Sequence, residues 1–128
     1  YKGVTMKPMK IRKSINLALS VLTLTVSSLA MAKPVVLINT FAVDESSEEV
    51  TLEYWEAARD ILEQQPGYIS TKLHRSLNDD ATYRFINVAQ WESEAMFKSA
   101  IATMRKELPP MMIQGVSADP ALYQIIRD

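Results

Sequence analysis

The chain has 128 residues, enough for one modest domain, and contains no cysteine, so no disulfide or thiolate chemistry supports it. Its formal net charge of −1 hides an uneven distribution. The first 32 residues carry five Lys/Arg and no Asp/Glu, which leaves nine basic against fifteen acidic residues in the remainder, a net of −6 with no basic footprint for nucleic acid.

Residues 1–5 precede Met6, the expected start, and read as upstream sequence. Lys7, Lys10, Arg12 and Lys13 form a basic head. Ile15 to Leu29 is uncharged and largely apolar, and Ala30-Met31-Ala32 is a small-x-small cleavage site. Residues 6–32 are therefore expected to be a secretory signal peptide cut after Ala32. The apolar stretch is short for a membrane span, so no stable anchor is expected after cleavage. The expected product is a periplasmic or secreted domain of residues 33–128.

The first strand is expected over Pro34 to Val43, with Val35, Leu37, Asn39 and Phe41 alternating against Val36, Ile38, Thr40 and Ala42. Ser46 with Glu49 three residues on reads as a capping box opening the first helix. Val50, Tyr54, Ala57, Ala58, Ile61 and Leu62 follow at helical spacing, and Pro66-Gly67 ends the helix. Glu48, Glu53, Glu56, Asp60 and Glu63 cover its other side and read as a solvated face rather than a metal site.

The second strand is expected over Tyr68 to Leu77, a turn at Asn78-Asp79-Asp80, and the third strand over Thr82 to Trp91. Arg75 and Arg84 flank this turn and are expected to pair with Asp79, Asp80 or the partner subunit. Alternation places Tyr83, Phe85, Asn87, Ala89 and Trp91 on one face of the third strand. One amide and one indole N–H sit among apolar neighbours there. Both are neutral donors that do not titrate near neutral pH. A pocket of this kind holds an aromatic ligand and steadies negative charge on its oxygen without a metal or a nucleophile. The plainer alternative makes Trp91 a core plug and Asn87 a partner for nearby backbone.

Ser93 caps a second helix running to about Glu107, with Met96, Phe97, Ala100, Ile101 and Met104 on one face. Leu108-Pro109-Pro110-Met111-Met112 ends it, and a last strand is expected over Ala121 to Arg127. Strand–helix–strand twice over predicts an α+β fold, a ferredoxin-like βαββαβ antiparallel sheet with two helices on one face. Strands one and three are apolar on both faces, so the uncovered side is expected to meet a second copy in a homodimer.

Gln65-Pro66-Gly67-Tyr68-Ile69-Ser70-Thr71-Lys72-Leu73-His74-Arg75-Ser76 and Arg84-Phe85-Ile86-Asn87-Val88-Ala89-Gln90-Trp91-Glu92-Ser93, then Ala95, Phe97 and the closing Pro120-Ala121-Leu122-Tyr123, resemble the antibiotic biosynthesis monooxygenase family. That resemblance implies a dimeric α+β barrel. One branch oxidises a phenolic ring to a quinone with molecular oxygen and no cofactor, using an Asn and a Trp four residues apart. Asn87 and Trp91 match that pair and are the catalytic candidates. Asn39, Tyr83, Phe85, Phe97, Met111 and Met112 are the candidates for the pocket wall around a small aromatic substrate.

Two departures stand out. Phe97 occupies the place of a Tyr in that branch. Its later pocket Arg has no counterpart in Leu108 to Met112, the nearest basic residues being Arg105 and Lys106. A haem-degrading branch uses an Asn in strand one, which Asn39 matches, and a Trp–His pair on the second helix, where this sequence has Ala100 and Pro110. The lone His74 lies on strand two and reads as structural. A third possibility is a periplasmic dimer that only binds a small apolar molecule, with Met96, Met104, Met111 and Met112 as soft walls.

Overall fold

The structure is a computed structural model and describes residues 32–128. The expected signal peptide lies outside the described residues. In chain order the elements are β1 (Val35–Val43), a 3₁₀ turn (Glu45–Ser47), α1 (Glu48–Leu62), β2 (Tyr68–Arg75), β3 (Phe85–Trp91), α2 (Glu94–Glu107) and β4 (Val116–Tyr123). All strand pairings are antiparallel and the sheet order is β2-β3-β1-β4, the expected ferredoxin-like arrangement.

β-Branched residues dominate β1, and β3 alternates cleanly, with Phe85, Asn87, Ala89 and Trp91 buried on one face. On that face Leu37, Ala89 and Trp91 pack with Ala100 and Phe97 of α2 and Leu62 of α1. Both helices therefore cover the same side. The opposite side carries Val36, Ile38, Ile86 and Val88, half-buried, and Tyr123, half-exposed. No described helix lies over it. No described helix is long and apolar enough to cross a membrane.

Several boundaries differ from expectation. The capping box at Ser46 and Glu49 does not form, because the chain leaves β1 through the 3₁₀ turn and α1 begins after Ser47. The Ser47 hydroxyl donates instead to the Gln114 carbonyl at 2.8 Å, tying this corner to the start of β4. Thr51 donates to the Ser47 carbonyl at 2.7 Å. Val50 points outward, and Glu48 is not merely solvated: it pairs at 3.0 Å with Arg84, which also approaches Asp79 at 3.7 Å. Arg75 forms no such pair among the described residues but lies over the Phe85 ring at 5.9 Å. By contrast, Ser93 caps α2 as expected, accepting from the Met96 N–H at 3.1 Å.

The last strand is Val116–Tyr123, earlier in the chain than Ala121 to Arg127. Pro120 reads as a strand breaker, but β4 is an edge strand, where a missing N–H costs nothing if it faces away from the ladder. Pro120 pairs opposite Asn39, and Ile125 and Ile126 beyond the strand are exposed. The β2–β3 connection is also longer than expected, residues 76–84, leaving Tyr83 outside the strand.

Candidate functional site

Between the sheet and the two helices lies a cavity of about 430 Å³. That volume is in the range of small-molecule sites. β1 and β3 supply its floor through Leu37, Asn39, Asn87, Ala89 and Trp91. α1 supplies Thr51, Tyr54, Trp55, Ala58, Arg59 and Leu62; α2 supplies Phe97, Ile101, Met104 and Arg105; the following loop supplies Met111.

Trp91 is wedged edge-on between two rings, Tyr68 at 5.5 Å and Phe97 at 5.6 Å between centroids. These T-shaped contacts fix the indole plane. Asn87, only 7% exposed, is held by β2: the Thr71 hydroxyl donates to its Oδ1 at 2.7 Å. With the oxygen committed, the Asn87 NH₂ becomes the free end of the amide. Among the described residues neither that NH₂ nor the Trp91 indole N–H has a protein acceptor, and both side chains line the cavity, Asn87 at 7% and Trp91 at 1% exposure.

Asn39 sits directly opposite Asn87 across the β1–β3 ladder. Its Oδ1 is buried and has no hydrogen-bond partner. An orphan acceptor on a cavity wall costs stability until a donor arrives. Asn39→Leu, of nearly the same shape, is expected to raise stability by about 1 kcal/mol and Tm by about 4–8 °C. Differential scanning calorimetry checks this, and a fall in Tm would show that the amide is satisfied in solution.

Of the candidates, Asn39, Asn87, Trp91, Phe97 and Met111 meet in one cavity. Tyr83, Phe85 and Met112 do not. Tyr83 lies in the loop before β3, and Met112 is 88% exposed. Phe85 faces the same side but is fully enclosed at the start of β3, opposite Phe41, and does not itself line the cavity. His74 is exposed with Nδ1 against the Ile86 carbonyl at 3.1 Å, a structural contact.

Sequence reading missed Thr71, Tyr54, Trp55, Arg59 and Arg105. A bulge between Tyr68 and Ser70 shifts the alternation of β2, so period two counted from Tyr68 sends Thr71 to the wrong face. Both arginines lie in the last turn of a helix, where a cation is routine. Leu108 to Met112 supply no pocket Arg, but Arg105, the nearest basic residue before them, does line the cavity, as does Arg59. Arg59 is held by Asp60 at 3.0 Å, and this hydrogen bond raises its pKa. The Tyr54 hydroxyl donates to the Pro109 carbonyl at 2.6 Å, and burial raises its pKa, so it stays protonated. It does not replace the hydroxyl absent from Phe97, being already engaged.

The family model for antibiotic biosynthesis monooxygenases matches residues 34–103. Among solved structures, a candidate monooxygenase from Shewanella loihica PV-4 is 50% identical, with a TM-score of 0.70, over 77% of this chain and 99% of that one. SnoaB from Streptomyces nogalater, a cofactor-independent oxygenase, is 20% identical with a TM-score of 0.55, over 76% of this chain and 97% of its own. The haem-degrading protein MhuD from Mycobacterium tuberculosis is also 20% identical with a TM-score of 0.55, over 73% and 97%. The last two likenesses show a shared fold. No curated protein matches the chain.

Proposed function

The chain belongs to the antibiotic biosynthesis monooxygenase family, and from that premise we propose that it oxidises a phenolic or polycyclic aromatic molecule with molecular oxygen, without a cofactor. One observation carries this reading: a mostly apolar cavity is lined by two neutral N–H donors, Asn87 and Trp91, with no protein acceptor of their own among the described residues. SnoaB, a cofactor-independent oxygenase of the same fold, points the same way.

The chemistry requires little else. A phenolate or anthrone enolate is electron-rich enough to react with oxygen directly once its anion is favoured and bulk water excluded. Asn87 and Trp91 donate to the oxyanion, and the Asn39 carbonyl accepts from a neighbouring hydroxyl of the ring. A carbon–oxygen bond forms, the oxygen–oxygen bond breaks, and the second oxygen leaves as water with two hydrogens from the substrate. Anthrone plus O₂ thus gives anthraquinone plus water, with all four electrons supplied by the ring.

Haem degradation is the less favoured alternative. Asn39 is present, but no histidine lines the cavity among the described residues, and the only histidine is turned outward on β2. A non-catalytic binding role shares the same cavity and differs only in the absence of turnover.

The same reading includes export and assembly. The outer face of β1 and β3, with Val36, Ile38, Ile86 and Val88, supports a homodimer packed sheet to sheet, and the leader pattern supports a periplasmic product beginning at Lys33. Sedimentation of the protein recovered from a bacterial periplasm is expected to give twice the mass of residues 33–128. Val88→Lys, on the outer face, is expected to shift it to a monomer. A wild-type monomer at micromolar concentration would sink the dimer.

A further inference from the structure

The charge on the cavity wall is one-sided. Two guanidinium groups line it, Arg59 from α1 and Arg105 from α2, and no Asp or Glu among the described residues does so. That imbalance arises in a chain whose acidic residues outnumber its basic ones, so it does not follow from composition. Helix-dipole compensation explains why a cation stands in the last turn of each helix. It does not explain why both cations border the same cavity.

Their engagements differ. Arg59 gives Nε and Nη2 to Asp60 and lies 5.2 Å over the Trp55 ring, which itself lines the cavity. Those contacts hold the guanidinium in place and leave Nη1 without a protein partner among the described residues. Arg105 forms no ion pair with any described carboxylate. It is exposed, which places it where the cavity opens to solvent, whereas Asn87 and Trp91 are buried at the floor.

A neutral phenol needs none of this. The floor already supplies donors for its oxygen, and an arginine gives little to an apolar ring that a methionine would not. A guanidinium is, however, shaped to take a carboxylate through two parallel N–H bonds. Resting on the proposed oxygenase reading, we propose that the molecule this cavity accepts is an aromatic acid. Its phenolic end enters against Asn87 and Trp91, and its carboxylate stays at the mouth against Arg105, with Arg59 beside it. Such a ligand is oriented end to end: only one way round satisfies both the neutral donors inside and the cations outside. Arg105 thereby selects the substrate and sets which ring carbon is presented for oxidation.

The test compares two probes of one ring. 6-Hydroxy-2-naphthoate and its methyl ester share the naphthol and differ in the negative charge. Fluorescence titration of the full folded protein is expected to show the acid binding about tenfold more tightly than the ester, with the ratio shrinking as salt rises. In Arg105→Gln the ratio falls, and in the Arg59→Gln, Arg105→Gln double variant it approaches one, while circular dichroism and Tm confirm that the fold is retained. Equal binding of acid and ester by the wild type overturns the acid preference and leaves the oxygenase reading standing. An acid preference that survives in the double variant overturns the role of the arginines. Failure of both probes to bind the wild type removes the aromatic site itself, and this inference with it.

Discussion

Asn87→Ala is expected to lower kcat for anthrone oxidation by about a hundredfold, and Trp91→Phe to lower it by about tenfold or more. Loss of one donor to a developing oxyanion costs about 3 kcal/mol in a dry site. Trp91→Phe is the cleaner probe, because it keeps a ring between Tyr68 and Phe97 and deletes the N–H. Its Tm is expected to fall only modestly. Asn87→Ala also leaves the Thr71 hydroxyl without its acceptor, which costs about 1 kcal/mol of stability. Thr71 separates anchoring from chemistry. Thr71→Val is expected to free the amide to rotate and to lose part of the rate at nearly unchanged KM, and Thr71→Ser to restore it. Steady-state oxygen consumption measures all four variants. Equal activity in wild type and Trp91→Phe would show that the indole is only a core plug.

The second large effect is on stability. Gly67 closes the α1–β2 turn with φ +91°, a conformation that costs an L residue free energy. It also lies under α2: a Cβ there would stand 2.5 Å from the Met96 Cβ. Neither neighbour can yield, since the Gly67 carbonyl accepts from the Glu92 N–H at 2.8 Å at the end of β3. Gly67→Ala is therefore expected to cost about 3 kcal/mol or more, lowering Tm by about 12 °C or more for a domain of this size. Thermal unfolding followed by circular dichroism gives the value. A shift under about 3 °C would mean that the turn and α2 move apart at little cost.

Much of this was legible in the sequence because burial repeats with the period of each element. Phe85, Asn87, Ala89 and Trp91 alternate on an uninterrupted strand, so their common face followed directly. Ser93 and Gly67 punctuate helices through local backbone chemistry that depends on few neighbours. The failures share a different cause. Ser46 and Glu49 have the spacing of a capping box, but the corner is decided by a tie to Gln114, far away in the chain. Pro120 breaks a central strand and is tolerated at an edge, and edge position is a property of sheet order. Thr71 was hidden by a bulge, and Arg59 and Arg105 by standing where any helix carries a cation. Asn39, Asn87 and Trp91 could be proposed from resemblance and alternation. That Asn39 holds an unpartnered oxygen beside an amide anchored through Thr71 required the packed structure.

Single-turnover oxidation of anthrone under ¹⁸O₂ bears most directly on whether this cavity performs oxygenation. One labelled oxygen is expected in the anthraquinone and the other in water, with formation slowed about tenfold or more by Trp91→Phe. Anthrone bound by the wild-type protein but left unoxidised would contradict the account and identify the cavity as a binding site alone.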